Sequence, residues 1–521
     1  MDRNMGAAEA RARSEAARAE GALPQARSHD RRRGAAPHGG RRRDVRRTAL
    51  LATLLLVACS GAPSLTGPSP SPSVPSNARP DDFDGIRAKA HVDWLADAAR
   101  GGRYTGSRGY DDAANYVADR FKEIGLEPLG DNGTYFQHFT TPMVDLAAMP
   151  VLAVTGTDAK SFKARVDFTE SVGGRAGSGT VESQVAVVGG GARTNGQNDF
   201  AGANVRGKIA LITGPALQSG GNTVENAFQE GAIGALVIGS TTIRYSFIPK
   251  FQSQTIPALA ITEDVANELL APSGKKVSDV QTAVRARRSD PNAPPPGFDV
   301  STVVRVSVPL TPVHDVDAYN VVGLLRAGDA DAAKRAVLVG GHLDGVGTDP
   351  DGSVFQAAND NASGPAVTIE VARALSAAKA TLRHSVVFVA FAGEEEGLLG
   401  SEAYAAQMAV SPGRTESLIA MIDLDVIGCC GDSLIISNET PDLQRRLRDA
   451  ASKLGISTQT IGGGGSDQST FVRRRVPAAF VGWSDYILHT YKDVPAVVDV
   501  SHLKRAGDVI TTSAKDMVTN D

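Results

Sequence analysis

The sequence predicts an α/β protein in which helices flank a mostly parallel, mixed sheet, with a smaller β-rich unit inserted into it. From Tyr319 onward, near-continuous apolar runs of strand length alternate with helical segments. Such runs are typical of strands that are buried on both faces of a parallel sheet. Between residues 144 and 311, helix signals thin out and short β runs such as VAVVGGG and GALVIG dominate. This change in character predicts a second structural unit.

Helices are predicted on both sides of the inserted segment. The first two lie within Ile86–Leu126, where apolar residues recur at helical spacing until Gly125. The later helices are predicted at Ser363–Ala378, Ser401–Met408, Pro441–Leu454 and Ser501–Met517. They lie between or after the strand-like segments RAVLVGG, HSVVFVAFAG, SLIAMIDLDVIG, SLIIS and PAAFVGW. Ligands of such sheets bind at the carboxyl ends of the strands.

Length and charge limit the class of protein. A chain of 521 residues is long enough for more than one domain. The first 58 residues hold 13 of the 54 basic and six of the 58 acidic residues, which leaves 41 basic and 52 acidic residues after them. Because the remainder is acidic, and no stripe of basic and aromatic residues interrupts it, we expect no nucleic-acid partner.

Residues 1–59 predict an export signal. An Arg-rich stretch is followed by an apolar run, 49–58, which is too short to span a bilayer but fits the core of a signal peptide. LVAC, Leu56–Cys59, resembles a bacterial lipobox, which implies a lipid anchor on Cys59 at the outer face of a membrane. The alternative is a secretory signal that merely contains a cysteine, which would give a secreted protein. Because about 45 residues precede the signal, we expect translation to start near Val45. Residues 60–82 are a Pro/Ser-rich linker.

The remaining cysteines, Cys429 and Cys430, are adjacent. A bond between neighbours is strained, so they are predicted to be a small packed pair without a disulfide.

Side chains of the types that commonly bind metal ions follow several of the predicted strands. These residues are His342, Asp344, Asp360, Glu394, Glu395, Asp425 and His489. Because the carboxyl ends of parallel strands meet at one edge, we expect these side chains to converge there. Oxygen and imidazole ligands without cysteine fit a hard or borderline divalent cation. A solvated acidic loop or a Ca²⁺ site in DPDGS is the alternative, but that turn lacks the 12-residue EF-hand spacing.

The ordered motifs HLD, ANDNASG, GEEEGLLGS, DLDVIG and LHTYKD resemble the co-catalytic di-zinc aminopeptidases, metallopeptidase family twenty-eight. The segments Val205–Gly214 and Ala227–Gly239, followed by Ile256 and Pro257, resemble a protease-associated domain. The resemblance implies a zinc peptidase domain, residues 83–143 and 312–521, with the protease-associated domain inserted at residues 144–311.

The resemblance also implies a role for each residue. Two Zn²⁺ ions per chain would be bound by His342, Asp360, Glu395, Asp425 and His489. Asp360 would bridge the two ions, and Glu394 would be the general base that acts on a metal-bridging water. Asp344 would hydrogen-bond His342 and fix its tautomer, and we expect Asp493 to do the same for His489.

The implied activity is that of an extracytoplasmic exopeptidase, an aminopeptidase that removes N-terminal residues from peptides. A carboxypeptidase, a one-zinc glutaminyl cyclase and a non-catalytic receptor-like protein remain alternatives on the same fold. Some relatives have a tyrosine directly before the last histidine, where this chain has Leu488. Tyr486 and Tyr491 are the candidates to replace it in stabilising the oxyanion. The sequence leaves side-chain preference and oligomeric state open.

Overall fold

The computed structural model of the chain describes residues 78–194, 197–214, 223–241, 244, 251–328, 331–408 and 412–520. The predicted leader (1–59) with its lipidation site Cys59, and the linker up to residue 77, lie outside the described residues. Within these ranges, no helix has the length and apolar character needed to cross a membrane.

The described strands belong to two large sheets and two short ribbons. In chain order they are β1 (Glu127–Pro128), β2 (Phe136–Met143), β3 (Val151–Val154), β4 (Lys160–Ser161), β5 (Phe168–Ser171), β6 (Gly174–Ala176), β7 (Gly179–Val187), β8 (Arg193–Thr194), β9 (Gln197–Asn198), β10 (Ile209–Ile212), β11 (Gly234–Ile238), β12 (Phe251–Ile256), β13 (Ala258–Ile261), β14 (Phe298–Val308), β15 (His314–Leu325), β16 (Ala336–His342), β17 (Ser385–Phe391), β18 (Leu418–Leu424), β19 (Leu434–Ser437), β20 (Thr458–Ile461) and β21 (Ala478–Gly482).

The described α-helices flank these sheets. They are α1 (Gly85–Leu95), α2 (Arg108–Ile124), α3 (Thr223–Gln229), α4 (Glu263–Leu270), α5 (Val277–Ser289), α6 (Ser363–Ala377), α7 (Leu399–Gln407), α8 (Pro441–Lys453), α9 (Gln468–Arg473) and α10 (Val500–Asn520).

The first sheet has the order β1-β15-β17-β16-β18-β21-β19-β20, and β2 pairs with β15. Its centre is parallel, because β16 pairs in parallel with both β17 and β18, and β18 with β21. The pairings of β15 with its neighbours, and of β19 with β21, are antiparallel. The predicted mixed sheet with a parallel core is therefore confirmed.

Helices cover both faces of this sheet, which explains the apolar runs. Along β17, Phe388 and Ala390 point into one hydrophobic cluster, whereas Val389 and Phe391 point into another. Helices α1, α2, α6 and α10 bury apolar residues in the first cluster, and α7 and α9 do so in the second. A strand with two buried faces needs apolar residues at successive positions rather than at alternate ones.

Helix α2 shows how local sequence sets the bounds of an element. The Ser107 side chain accepts a hydrogen bond from the Tyr110 amide and caps the first turn. Gly125, at φ 85°, ends the helix in the left-handed conformation that glycine tolerates best. Between them, Ala113, Val117 and other residues at helical spacing are buried against the sheet.

The second sheet is built from residues between 151 and 308 and has the order β4-β3-β14-β7-β10-β11-β13-β5. Strands β7, β10, β11 and β13 are parallel neighbours, and they share a core with α4 and α5. These two helices were not predicted. Thr262 caps α4, and Val265 and Leu269 are buried at helical spacing, so a short amphipathic pattern was present among the stronger β signals.

The prediction of unbonded cysteines is wrong in this structure, which joins Cys429 and Cys430 by a disulfide. Cys430 has a positive φ of 82°, so the chain turns there and brings the two sulfur atoms together.

Candidate metal centre

The parallel strands at the centre of the first sheet end at the same edge, and the candidate ligands follow them there. His342 is the last residue of β16, and Asp425 directly follows β18. Glu394 and Glu395 follow the end of β17 within four residues. His489 lies in the loop between β21 and α10. The sheet topology thus brings together side chains that are about 150 residues apart along the chain.

Asp360 reaches the same edge from an irregular turn, Ala358–Ala362, directly before α6. This turn lies close to β18. The Asn361 side-chain amide donates to the Leu424 carbonyl oxygen at 2.8 Å, and a Cβ atom on Gly364, just after the turn, would lie only 2.2 Å from that oxygen. Only glycine at position 364 permits so close an approach of this segment to the end of β18.

Two groups of potential metal ligands share Asp360. The first is His342, Asp360 and Asp425, and the second is Asp360, Glu395 and His489. The ligand atoms within each group lie within 4.8 Å of one another. Asp360 Oδ1 lies 3.3 Å from His342 Nε2, and Asp360 Oδ2 lies 3.2 Å from His489 Nε2. Each oxygen of one carboxylate faces a different histidine, which is the arrangement of a bridging ligand.

The other two carboxylates each belong to one side of this bridge. Asp425 Oδ1 lies 3.3 Å from His342 Nε2, and Glu395 Oε2 lies 2.8 Å from His489 Nε2. Each group therefore offers one imidazole, one carboxylate that belongs to that group alone, and one oxygen of Asp360. Three protein ligands leave room for water or substrate in the coordination sphere, as catalytic zinc sites require.

The charge and hydrogen bonding of the candidate ligands also fit bound divalent cations. Among the described residues, only the two histidines lie within ion-pair distance of Asp360, Glu395 and Asp425. Asp360 Oδ2 and Glu395 Oε1 are buried and accept no hydrogen bond. Several buried carboxylates without a permanent countercharge are costly, and bound cations would supply that charge.

Glu394 lies beside the two groups without belonging to either. Its Oε2 atom is 4.0 Å from His342 Nε2. Burial, together with the negative charges of Glu395 and Asp425, raises the pKa of Glu394 well above its usual range. A carboxylate that acts as a general base and then as a general acid is most effective when its pKa lies above that of a free carboxyl group, and the shift of Glu394 has this direction.

The carboxylates around the two histidines raise the pKa values of both imidazoles. Burial lowers the pKa of His342, but the Glu394 and Asp425 carboxylates outweigh it and raise that pKa well above its usual value. The pKa of His489 is also raised, because the attraction of Glu395 and Asp360 exceeds the effect of burial. The raised pKa values favour protonated imidazoles when no cation is bound, and these protons would offset part of the negative charge.

Asp344 does not make the predicted hydrogen bond. Its Oδ1 atom lies 3.8 Å from His342 Nδ1, which is too far, and that nitrogen has no hydrogen-bond partner. Asp344 instead accepts the backbone amides of Glu394 and Glu395, at 3.3 and 3.2 Å. The carboxylate thus fixes the turn that carries these two glutamates.

Asp493 likewise supports a different ligand from the one expected. Its two oxygens accept the amides of Asn359 and Asp360, at 2.7 and 3.0 Å. His489 Nδ1 has no hydrogen-bond partner, so the predicted contact with His489 is absent. The Asp493 carboxylate positions Asp360, the candidate ligand that the two groups share, instead.

Arg103 is a positioning residue that the sequence did not reveal. Its fully buried guanidinium donates to four backbone carbonyls, those of Leu95, Leu343, Gln356 and Ala357, at 2.7–3.0 Å. Two of these carbonyls adjoin the ends of the loop between His342 and Asp360. The surrounding segment, GGRYTGSRG, carries only turn signals, and no local pattern marks Arg103 as buried.

The two tyrosine candidates are in different situations. The Tyr491 hydroxyl donates to Asp349 Oδ2 at 2.5 Å, whereas the Tyr486 side chain is 79% exposed. Tyr491 is therefore already engaged by a protein carboxylate in this structure.

Two family profiles match the chain. Residues 320–514 match peptidase family M28, and residues 180–269 match the PA domain. This first match covers less than half of the chain, and it shows that the segment is similar to the peptidases of family M28. The matched regions fall on the first and second sheets respectively, so the predicted combination of a peptidase domain with an inserted protease-associated domain is confirmed.

Curated relatives align over little more than a third of this chain. Aminopeptidase YwaD of Bacillus subtilis is 27% identical over 199 residues, which is 36% of this chain and 42% of that protein. Endoplasmic reticulum metallopeptidase 1 of Rattus norvegicus is 30% identical over 204 residues, 37% of this chain and 22% of that protein. The aligned region spans less than half the length of either relative.

Solved structures resemble this chain over most of its length. An aminopeptidase from Aneurinibacillus sp. strain AM-1 has a TM-score of 0.59 and 22% identity, covering 84% of this chain and 94% of that chain. The zinc aminopeptidase BSAP from Bacillus subtilis also has a TM-score of 0.59, with 20% identity, covering 85% and 97%. These matches show that the fold is shared over most of the chain.

Proposed function

We propose that the chain is a zinc-dependent aminopeptidase that hydrolyses the N-terminal peptide bond of peptides. The observation that carries the proposal is the position of Asp360, whose two oxygens each face a different imidazole and carboxylate pair. A single structural cation needs no such division. Two adjacent cations sharing one carboxylate are characteristic of hydrolytic centres that act on an activated water.

We assign two zinc ions to the two groups. His342 and Asp425 would hold one ion, Glu395 and His489 the other, and Asp360 both. When bound, the pair of ions lowers the pKa of a water molecule towards 7 and polarises the scissile carbonyl. Glu394 takes the proton from the attacking water and delivers it to the departing amine, and its raised pKa suits both transfers.

Peptide substrates and attack at the amino end are supported by the named activities of the relatives, since both solved structures described above are aminopeptidases. Two arginines of the inserted segment are also consistent with attack at the amino end. Arg165 and Arg244 are each paired with buried Asp349, so their charges are already engaged and are not held out for a substrate carboxylate as a carboxypeptidase would need.

We also propose the domain bounds given by the sequence: residues 83–143 with 312–521 for the peptidase domain, and 144–311 for the insertion. The antiparallel pairing of β2 with β15, which starts at Met143 and His314, supports these bounds because it closes the base of the inserted segment. Export, with a lipid anchor on Cys59, is proposed from the apolar run and the LVAC motif.

The test is an assay of purified protein before and after zinc removal. A chelated sample should lose cleavage of amino-acid p-nitroanilides and regain it with two equivalents of zinc. Substrates with an acetylated amino group should resist cleavage, whereas a carboxypeptidase would accept them. A zinc-loaded enzyme that cleaves no member of a broad anilide and dipeptide panel would overturn the proposal.

A further inference from the structure

Two arginines of the inserted domain converge on Asp349 of the peptidase domain. Arg165 donates from Nε and Nη2 to the two oxygens of Asp349, both at 2.9 Å, and Arg244 Nη1 adds a contact at 3.3 Å. The Asp349 side chain has no exposed surface, and the arginine side chains are 3% and 1% exposed. Paired, two-point contacts of this kind are strong and geometrically specific.

The same carboxylate holds the loop that carries His489. The Tyr491 hydroxyl donates to Asp349 Oδ2 at 2.5 Å, and its ring packs on Phe355 with centroids 4.1 Å apart. Arg165, Arg244, Asp349 and Tyr491 are called the Asp349 network below. Through it, guanidinium groups of one domain fix a side chain only two residues from a candidate ligand of the other domain.

A second contact reaches that ligand directly. The backbone amide of Arg244 donates to the His489 carbonyl oxygen at 2.9 Å. His489 has a φ of 55°, in the left-handed region that residues with a β-carbon seldom adopt. A residue in this conformation persists only where its surroundings hold it there. The hydrogen bonds to the His489 carbonyl and from the Tyr491 hydroxyl keep His489 in this conformation.

We propose that the inserted domain positions the second metal site, which is the site of Asp360, Glu395 and His489. It does so through the Asp349 network. The inference rests on the proposed function only in taking His489 as a metal ligand. It predicts that the two metal sites respond differently when the network is changed. The site of Asp360, Glu395 and His489 depends on the network, because His489 lies two residues from Tyr491. His342 and Asp425 are instead positioned by the ends of β16 and β18.

Metal binding measured without substrate tests this dependence. Metal-free protein is titrated with Zn²⁺ by calorimetry and with Co²⁺ by visible absorption, which reports ligand geometry. The variant is Tyr491→Phe, which removes one hydroxyl and keeps the ring on Phe355. The matched control is Tyr486→Phe, which removes a hydroxyl from an exposed residue of the same loop.

We expect wild type and the control to bind two ions alike. In Tyr491→Phe the ion at the site of His342 and Asp425 should bind with unchanged affinity. The ion at the site of Glu395 and His489 should bind about tenfold more weakly, with an altered Co²⁺ spectrum. The proposal is wrong if Tyr491→Phe binds each of the two ions with the same affinity as the control does. A loss of turnover with unchanged metal binding would also overturn it, because that result would place the hydroxyl on the substrate rather than on Asp349.

A second variant, Asp349→Asn, removes the negative charge and one of the two oxygens that accept from Arg165, Arg244 and Tyr491. It should weaken the site of Glu395 and His489 by at least the loss seen in Tyr491→Phe. If its unfolding temperature falls while both metal affinities stay at wild-type values, the network only joins the domains and the proposal is wrong. The proposed function fails separately: wild type that binds two ions but cleaves no peptide removes the peptidase assignment and leaves the metal-binding comparison intact.

Discussion

Replacement of Arg103 by lysine should both destabilise the protein and impair the metal centre. Arg103 spreads four hydrogen bonds over its three guanidinium nitrogens, and they end on carbonyls from α1 and from the loop between His342 and Asp360. Burial lowers the pKa of Arg103 to about 10, so the side chain remains charged at neutral pH. The charge is therefore kept in Arg103→Lys, and what changes is the placement of the donors.

The expected size of the effect follows from this geometry. An ammonium group donates from one atom, and we expect it to leave two of the four carbonyls without a donor. Each buried carbonyl that loses its partner costs about 1–3 kcal/mol, which gives about 2–6 kcal/mol in all. Even the lower figure should reduce the unfolding temperature by about 4 °C. Because the freed carbonyls adjoin the loop that ends at Asp360, we expect kcat to fall at least about tenfold.

The assay is thermal unfolding followed by circular dichroism, with anilide hydrolysis measured on the same zinc-loaded samples. Arg108→Lys is the matched control, because Arg108 is exposed and lies five residues further along the chain. The control should unfold within about 0.5 kcal/mol of wild type. If Arg103→Lys matches the control in both unfolding temperature and kcat, the four hydrogen bonds do not support the site and the reasoning is wrong.

Three further outcomes follow from the candidate centre. Glu394→Gln should lower kcat by about 10²- to 10⁴-fold while elemental analysis still finds the wild-type zinc content, and loss of zinc together with activity would contradict a role in proton transfer. Zinc binding should release protons and tighten as the pH rises, because the raised pKa values of His342 and His489 keep both imidazoles protonated in the metal-free protein at neutral pH. Calorimetry in buffers of different ionisation enthalpy measures these protons, and a pH-independent affinity would refute the charge balance. Asp493→Asn should weaken zinc binding about 10- to 100-fold, since one of the amides of Asn359 and Asp360 loses its acceptor; an unchanged dissociation constant would exclude this support.

The architecture was predictable where one strong pattern sets the structure. Apolar runs marked the central strands, and the predicted helix Ser363–Ala378 differs from α6 by one residue. Strand β20, Thr458–Ile461, was missed because it is a polar, partly exposed strand at the end of the sheet and therefore lacks an apolar run. Burial on two faces leaves a clear trace in a sequence, and a half-exposed edge strand does not.

The convergence of the candidate ligands was also predictable, because parallel strands deliver their carboxyl ends to one edge. The roles of the supporting residues were not. Asp344 and Asp493 were expected to bind imidazoles, and both bind backbone amides instead. A carboxylate next to a histidine in sequence has several donors within reach after folding, and its partner is decided by the turn that packs above it. Arg103 shows the same limit, since its partners are backbone carbonyls that carry no mark in the sequence.

The most direct measurement is a crystal structure of the zinc-loaded protein with anomalous data collected above and below the zinc edge. The account predicts two peaks about 3.5–4 Å apart, with Asp360 between them, His342 and Asp425 on one and Glu395 and His489 on the other. A single peak, or peaks located away from Asp360 in fully zinc-loaded crystals, would contradict the two-metal centre.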